Sequence, residues 1–199
     1  MSDYSTEQRL FYLDSLLSEE ECISNYKNAE PFKFNKKVSF SVSWDELFIL
    51  VNNDILNNAN TNQSHYNGKG FKIRKADRNK KISMVVDSIE KLFQKSKHAK
   101  KERPSEGHHI YINFTTDAST NDNIHSDYDN VFFWQLQGSS IWKIYKQSEK
   151  EAKDLTEEDV SHIFDLNVGD MIFCPKNRFH SVKTVQPRAG VSLGFHNLK

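Results

Sequence analysis

The stretch IHSDYDNVFFWQLQGSSIWKIY, residues 124–145, sets the architecture expected of the whole chain. His125 and Asp127 stand two residues apart, so in extended backbone their side chains leave the same face and can reach one ion. An apolar, aromatic run follows at residues 131–136. Gly138 interrupts it, and a second run occupies residues 141–145, giving strand, turn and strand. The same pattern continues on both sides, at residues 109–114, 171–174, 179–185 and 190–195. Short strands at this spacing predict an all-β sandwich or barrel for the second half of the chain.

The first half reads differently. Ser18 and Glu21 have capping-box spacing, in which each side chain satisfies a free N–H at a helix start, and predict a short helix to about residue 27. Ser43 and Glu46 repeat the device ahead of Trp44, Leu47, Phe48 and Val51. Residues 52–67 are Asn-rich and polar, which predicts mostly loop. Ile82, Val85, Val86, Ile89, Leu92 and Phe93 follow helical spacing, an apolar stripe suited to packing on a sheet. A charged linker holding Pro104 and Gly107 then separates the two styles. Thr156 and Asp159 predict a small helical insertion over residues 155–163. The expectation is a mainly β chain with a helical N-terminal half. Residues 1–106 would pack on and cap a β core at 107–199, the two forming one compact domain.

Composition narrows the class. The chain has 199 residues, 37% of them hydrophobic and 12% aromatic, enough to bury a core. Lys+Arg and Asp+Glu both number 27, so net charge selects no partner. Residues 69–103 nevertheless hold thirteen Lys/Arg against four Asp/Glu. That stretch is either a solvated basic face or a contact for an anionic partner. Cys22 and Cys174 suggest no disulfide framework, the first residues lack a secretory pattern, and no run is long enough to span a membrane. A soluble chain in a reducing, cytoplasmic setting is expected.

A third candidate ligand joins the first pair. Gly169-Asp170, a strand at 171–174, a turn containing Pro175 and then His180 can bring that histidine back to His125 and Asp127. Two histidines and one carboxylate on one face of an octahedral ion leave three positions open, as in non-haem Fe(II) oxygenases. Zinc can use the same ligands, although a structural zinc site usually takes four, often with Cys.

With these residues in view, the chain resembles the JmjC/cupin-like Fe(II)/2-oxoglutarate-dependent oxygenases, nearest the ribosomal-oxygenase (cupin-4) type. The resemblance rests on His125-Ser126-Asp127, the strand carrying Gln135, Gly138, Trp142, the 169–180 segment and the closing Val191-Ser192-Leu193-Gly194-Phe195. It implies a double-stranded β-helix (cupin, jelly-roll) core over about 107–197. It further implies an Fe(II) centre on His125, Asp127 and His180, 2-oxoglutarate as cosubstrate, O2 as oxidant, and hydroxylation coupled to oxidative decarboxylation. Tyr111 matches a family tyrosine that binds the cosubstrate, and Ser192 a contact position. Asp127, rather than Gly or Ala, argues against a halogenase.

One position departs from the family. Where it carries a Lys or Arg for the distal carboxylate of 2-oxoglutarate, this chain has Ser140. A dianion in a low-dielectric pocket needs a cation. Arg188 shares strand parity with Gly190, Ser192 and Gly194, and its guanidinium can grip a carboxylate with two prongs, so it is the expected replacement. Lys143 has outward parity. Asn113 and His109 share the face of Tyr111, where packing or hydrogen-bonded structure is expected; Asn113, like Ser140, is also a candidate cosubstrate-binding residue. Trp134 and Trp142 are expected in the core, and His65, His98, His108, His162 and His196 at exposed or capping positions.

The function expected is therefore a 2-oxoglutarate-dependent hydroxylase of a small molecule, amino acid, peptide or protein. A metal-dependent cupin enzyme that does not use 2-oxoglutarate and a non-catalytic cupin-like binding module are the alternatives.

Overall fold

The structure, a computed structural model, describes residues 20–35, 37–58, 70–94, 108–115 and 124–195. Among the described residues three α-helices, α1 (Glu20–Lys27), α2 (Trp44–Asn58) and α3 (Lys80–Gln94), accompany nine strands. These are β1 (Phe32–Lys33), β2 (Gly70–Arg74), β3 (His108–Asn113), β4 (Asn130–Gln137), β5 (Ser140–Tyr145), β6 (Val160–Leu166), β7 (Met171–Cys174), β8 (His180–Thr184) and β9 (Arg188–Phe195). Six strands form one antiparallel sheet in the order β1-β7-β4-β9-β3-β2, and three form a second, β6-β5-β8. The two sheets face each other as a jelly roll.

Strand alternation divides the large sheet between two cores. Phe132, Trp134, Phe173, Val191, Leu193, Ile110 and Ile112 point one way, into a cluster with Tyr26, Leu47, Val51 and the α3 stripe Ile82, Val85, Val86 and Ile89. Those four stripe residues are fully buried, so the amphipathic pattern packs on the sheet as expected. The side chains of Leu92 and Phe93 lie outside the described residues. On the other face Val131, Phe133, Ile172 and Cys174 meet Trp142, Ile144, Leu166 and Val182 of the small sheet. This second, smaller cluster is the interior between the sheets, and the candidate site opens from it.

The caps behave as the sequence suggests. The Glu46 amide donates to Ser43 Oγ at 3.2 Å and the Ser43 amide to Glu46 Oε2 at 2.8 Å. Ser18 and residues 95–107 lie outside the described residues. Two expectations are corrected. Residues 52–58 continue α2 to Asn58 instead of forming loop. Asn costs a helix interior at most ~0.7 kcal/mol relative to Ala, too little to stop a ladder already nucleated by a capping box. The remainder of that stretch, 59–67, lies outside the described residues.

The helical insertion at 155–163 is also absent. The capping box of Thr156 and Asp159 is real, but it closes a single 3-10 turn (Glu157–Asp159) that feeds strand β6. Val160, His162, Phe164 and Leu166 alternate with exposed residues, and that two-residue period prevails over the cap. Two strands come from the first half of the chain: β1 pairs with β7, and β2 with β3, at the two edges of the large sheet.

Candidate metal centre

The residues that close the site are held by backbone before any side chain acts. The amides of His125 and His180 donate to each other's carbonyl oxygens, at 3.0 and 2.8 Å, forming an isolated antiparallel bridge. The turn after Pro175 reaches the same segment. Asn177, with φ +58°, donates its N–H to the Asp127 carbonyl at 2.7 Å, and the Lys176 N–H donates to Asn130 Oδ1 at 3.1 Å. Asn tolerates the left-handed conformation better than most residues, which suits it to this turn. Gly169-Asp170 anchors the segment from below. The Asp170 carboxylate accepts from the Asn167 N–H at 2.8 Å and from Lys33 Nζ at 2.9 Å. Burial raises the Asp170 pKa, yet these donors and Lys37 outweigh it and hold the group below its usual range.

The side chains then converge. One ligand atom from each of His125, Asp127 and His180 lies within 4.8 Å of the other two. His180 is buried, its ring stacked 5.1 Å from Trp142 at 17° and 4.3 Å from the His125 ring. Its Nδ1 sits 3.1 Å from the Arg178 carbonyl, so the N–H belongs there and the Nε2 lone pair faces Asp127 Oδ2, 3.6 Å away. Burial, reinforced by His125 and opposed by Asp127, pulls the His180 pKa down to about 4. At neutral pH it is an uncharged imidazole, the form that binds metal. Cys174 Sγ lies 3.7 Å from His180 Nδ1, but burial pushes its thiol well above the usual range and it stays protonated. Two nitrogens and a carboxylate are a donor set that suits a divalent transition metal.

The same face of the large sheet carries the other expected residues. In register, His109 lies opposite Ser192, Tyr111 opposite Gly190 and Asn113 opposite Arg188. Burial first, then Asp127, raises the Tyr111 hydroxyl to about 12, so it remains a hydrogen-bond donor. Arg188 is 5% exposed. Its Nε donates to Thr184 Oγ1 at 3.0 Å and its Cζ lies 5.9 Å over the Phe133 ring. Nη1 is buried with no hydrogen-bond partner. Burial lowers its pKa to about 10, which leaves it charged at neutral pH. Ser140 Oγ donates to Gln135 Oε1 at 2.8 Å, and Gln135 Nε2 donates to the Gln137 carbonyl at 2.7 Å.

Lys143 points outward, to Glu157, as its parity predicts. Trp142 lines the interior and Trp134 belongs to the helical core. His162 is half-buried, its ring stacked 5.6 Å from Phe164, and His108 is buried against Phe195 on the helix-facing side of β3, so neither is exposed as expected. His65, His98 and His196 lie outside the described residues. Two neighbours of Arg188, Thr184 and Phe133, were not anticipated, nor was the strand β2 that places Lys72 and Arg74 of the basic stretch beside Tyr111 and His109. Thr184 had a faint signal, four residues before Arg188 across a hairpin. The β2 pair had one in Phe71-Lys72-Ile73-Arg74, whose alternation is that of a strand.

Comparison with known proteins adds to this geometry. The pattern that defines the JmjC domain matches residues 91–199. No curated protein matches the sequence. Among solved structures, YcfD from Escherichia coli superposes with a TM-score of 0.57 at 15% identity, over 90% of this chain and 53% of that one. A second structure of YcfD, described as a ribosomal oxygenase in complex with cobalt and 2-oxoglutarate, gives 0.53 at 16% identity, over 84% and 48%. The chain thus spans about half the length of these structures, which share its fold.

Proposed function

The chain belongs to the JmjC-domain family, and from that premise we propose that it is an Fe(II)- and 2-oxoglutarate-dependent hydroxylase. His125, Asp127 and His180 would hold the metal. Arg188, Tyr111, Ser192 and Asn113 would hold the cosubstrate, with Ser140 acting indirectly by fixing Gln135. The bound metal supplies the redox chemistry by which O2 is consumed, 2-oxoglutarate loses CO2 to give succinate, and one oxygen atom enters a substrate C–H bond.

Arg188 carries this reading. A buried guanidinium with an unpartnered Nη1 is costly unless an anion completes it, and it faces the interior between the sheets, over Phe133, whose ring packs on Trp142 beside His180. The distal carboxylate of 2-oxoglutarate fits that requirement. It also explains how a chain with Ser140 at the usual basic position can retain the cosubstrate. The remaining residues prepare the site. The Arg178 carbonyl fixes the His180 tautomer, Tyr111 keeps a proton to donate, and Phe133 and Trp142 exclude water from the interior. The likeness to a ribosomal oxygenase favours a protein or peptide as prime substrate over a free small molecule.

Ser140 favours the second reading, a metal-dependent cupin enzyme that does not use 2-oxoglutarate, since its hydroxyl is engaged with Gln135 and supplies no charge. Calorimetric titration of the Mn(II)-loaded protein with 2-oxoglutarate separates the two. Arg188→Ala is expected to weaken 2-oxoglutarate binding by about tenfold or more, the loss of a charge-assisted pair, with Mn(II) affinity unchanged. Asp127→Ala is expected to abolish Mn(II) binding. Undiminished 2-oxoglutarate affinity in Arg188→Ala would sink the anchor assignment, and no binding by the unmodified protein would leave the second reading standing.

A further inference from the structure

The edge strand β2 brings two cations to the interior face that no cosubstrate role absorbs. Ile73 is buried in the helix-facing cluster and Phe71 packs against it. Alternation therefore puts Lys72 and Arg74 on the opposite face, where they pair in register with Tyr111 and His109. Both are half-buried. Lys72 Nζ lies 5.4 Å over the Tyr111 ring, so this ammonium is directed across the site wall rather than into bulk water. We propose that Lys72 and Arg74 are a carboxylate-recognition pair that holds an acidic substrate against the metal centre, an inference that rests on the hydroxylase reading above.

Three observations support the placement. Arg188 lies opposite Asn113, and Asn113 opposite Gly70, so the guanidinium marks one end of the β2 row. Lys72 and Arg74 stand two and four residues farther along, roughly 7 and 13 Å at ~3.3 Å per residue, too far along the row to duplicate the Arg188 role. His109, opposite Arg74 in register, lies among these charges. Burial first, then Lys72 and Arg74, pull its pKa down to about 4, while Asp127 opposes them. One imidazole thus lies within the fields of both cations and of the candidate metal ligand.

The spacing also selects among anions. A phosphate is held best by donors that converge on one centre. Two cations on alternate residues of a strand, whose Cα atoms are roughly 7 Å apart, can instead take separate carboxylates, one each. Those can be alternate acidic residues of an extended peptide or the two ends of a dicarboxylic acid.

The test uses the full chain loaded with Mn(II) and 2-oxoglutarate, titrated calorimetrically with blocked peptides of alternating Gly-Glu, Gly-Gln and Gly-Lys, and with free glutamate. Binding of the Gly-Glu peptide, weakened by added salt, is expected, with little or none for the Gln and Lys peptides. Binding of free glutamate but not of the peptide would support the same pair acting on a small acid. Lys72→Gln with Arg74→Gln is expected to lower acidic-probe affinity about tenfold while 2-oxoglutarate affinity changes less than about twofold. The charge-conserving Lys72→Arg with Arg74→Lys should retain the probe, which guards against a folding defect in the Gln variant. Equal binding of the Gln peptide, no binding of either acidic probe, or a parallel loss of 2-oxoglutarate in the Gln variant would overturn the proposal. Should the unmodified protein bind no 2-oxoglutarate, the hydroxylase reading fails by itself, and the same titrations on the Mn(II)-loaded protein still decide for or against the pair.

Discussion

An alanine at position 190 would place its Cβ 2.1 Å from Phe133 Cζ. The ring has little room to retreat, since it is buried, lies 4.6 Å from Trp142 and sits under the Arg188 guanidinium. Gly190→Ala is therefore expected to destabilise the fold by about 1–3 kcal/mol, the usual cost of overpacking a core, read as a lower melting temperature. Adding Phe133→Leu should recover part of the loss; a double variant no more stable than Gly190→Ala would show that the clash is not the cause. At this scale the sequence is informative where chemistry needs a particular residue type. His125, Asp127 and His180 are candidates by spacing, and Arg188 by parity once the family resemblance implies a dianion that needs a cation. Thr184 and Phe133 do not, because their importance comes from what folds against them.

Elements turn those residues into a site. The turn after Pro175 fastens β8 to the His125–Asp127 segment, and β3 lays His109 and Tyr111 beside it. Two of these histidines, His109 and His180, have pKa values held down to about 4, against 6.5 for an ordinary histidine. Between those values the unfolded chain binds protons that the folded chain refuses, so stability rises with pH there. The metal-free protein is thus expected to lose stability as pH falls from about 6.5 towards 4, with the decline flattening once the folded histidines also protonate. Thermal melts across that range check it, and a flat profile would contradict the burial of both rings. Strong periodicity made α3 and the six strands anticipated from sequence legible. Strand β2, only five residues long, was less so, because its pairing with β3 is made by a partner distant in sequence. Helix α2 outran its prediction for the opposite reason: local polarity suggested a loop where the backbone ladder simply continued.

At the scale of the whole molecule, the first half of the chain is part of the barrel's construction. It supplies both edge strands of the large sheet, and its helices cover the face that bears Phe132, Phe173, Val191 and Leu193. A chain beginning at residue 107 would expose that apolar face and two unpaired edges, and is expected to aggregate instead of folding alone. Its solubility and sedimentation behaviour would check this; a monomeric, cooperatively melting product would show that residues 107–199 are self-sufficient.

The paired amides of His125 and His180 carry a different kind of consequence. Because main-chain bonds set the spacing of the two imidazoles, the spacing does not wait for an ion to impose it. On the proposed metal-binding reading, an ion would then leave and another arrive without the chain refolding around it. Which metal resided there would be a matter of supply and residence time, decided by the surroundings over the protein's lifetime and not by the moment at which it folds.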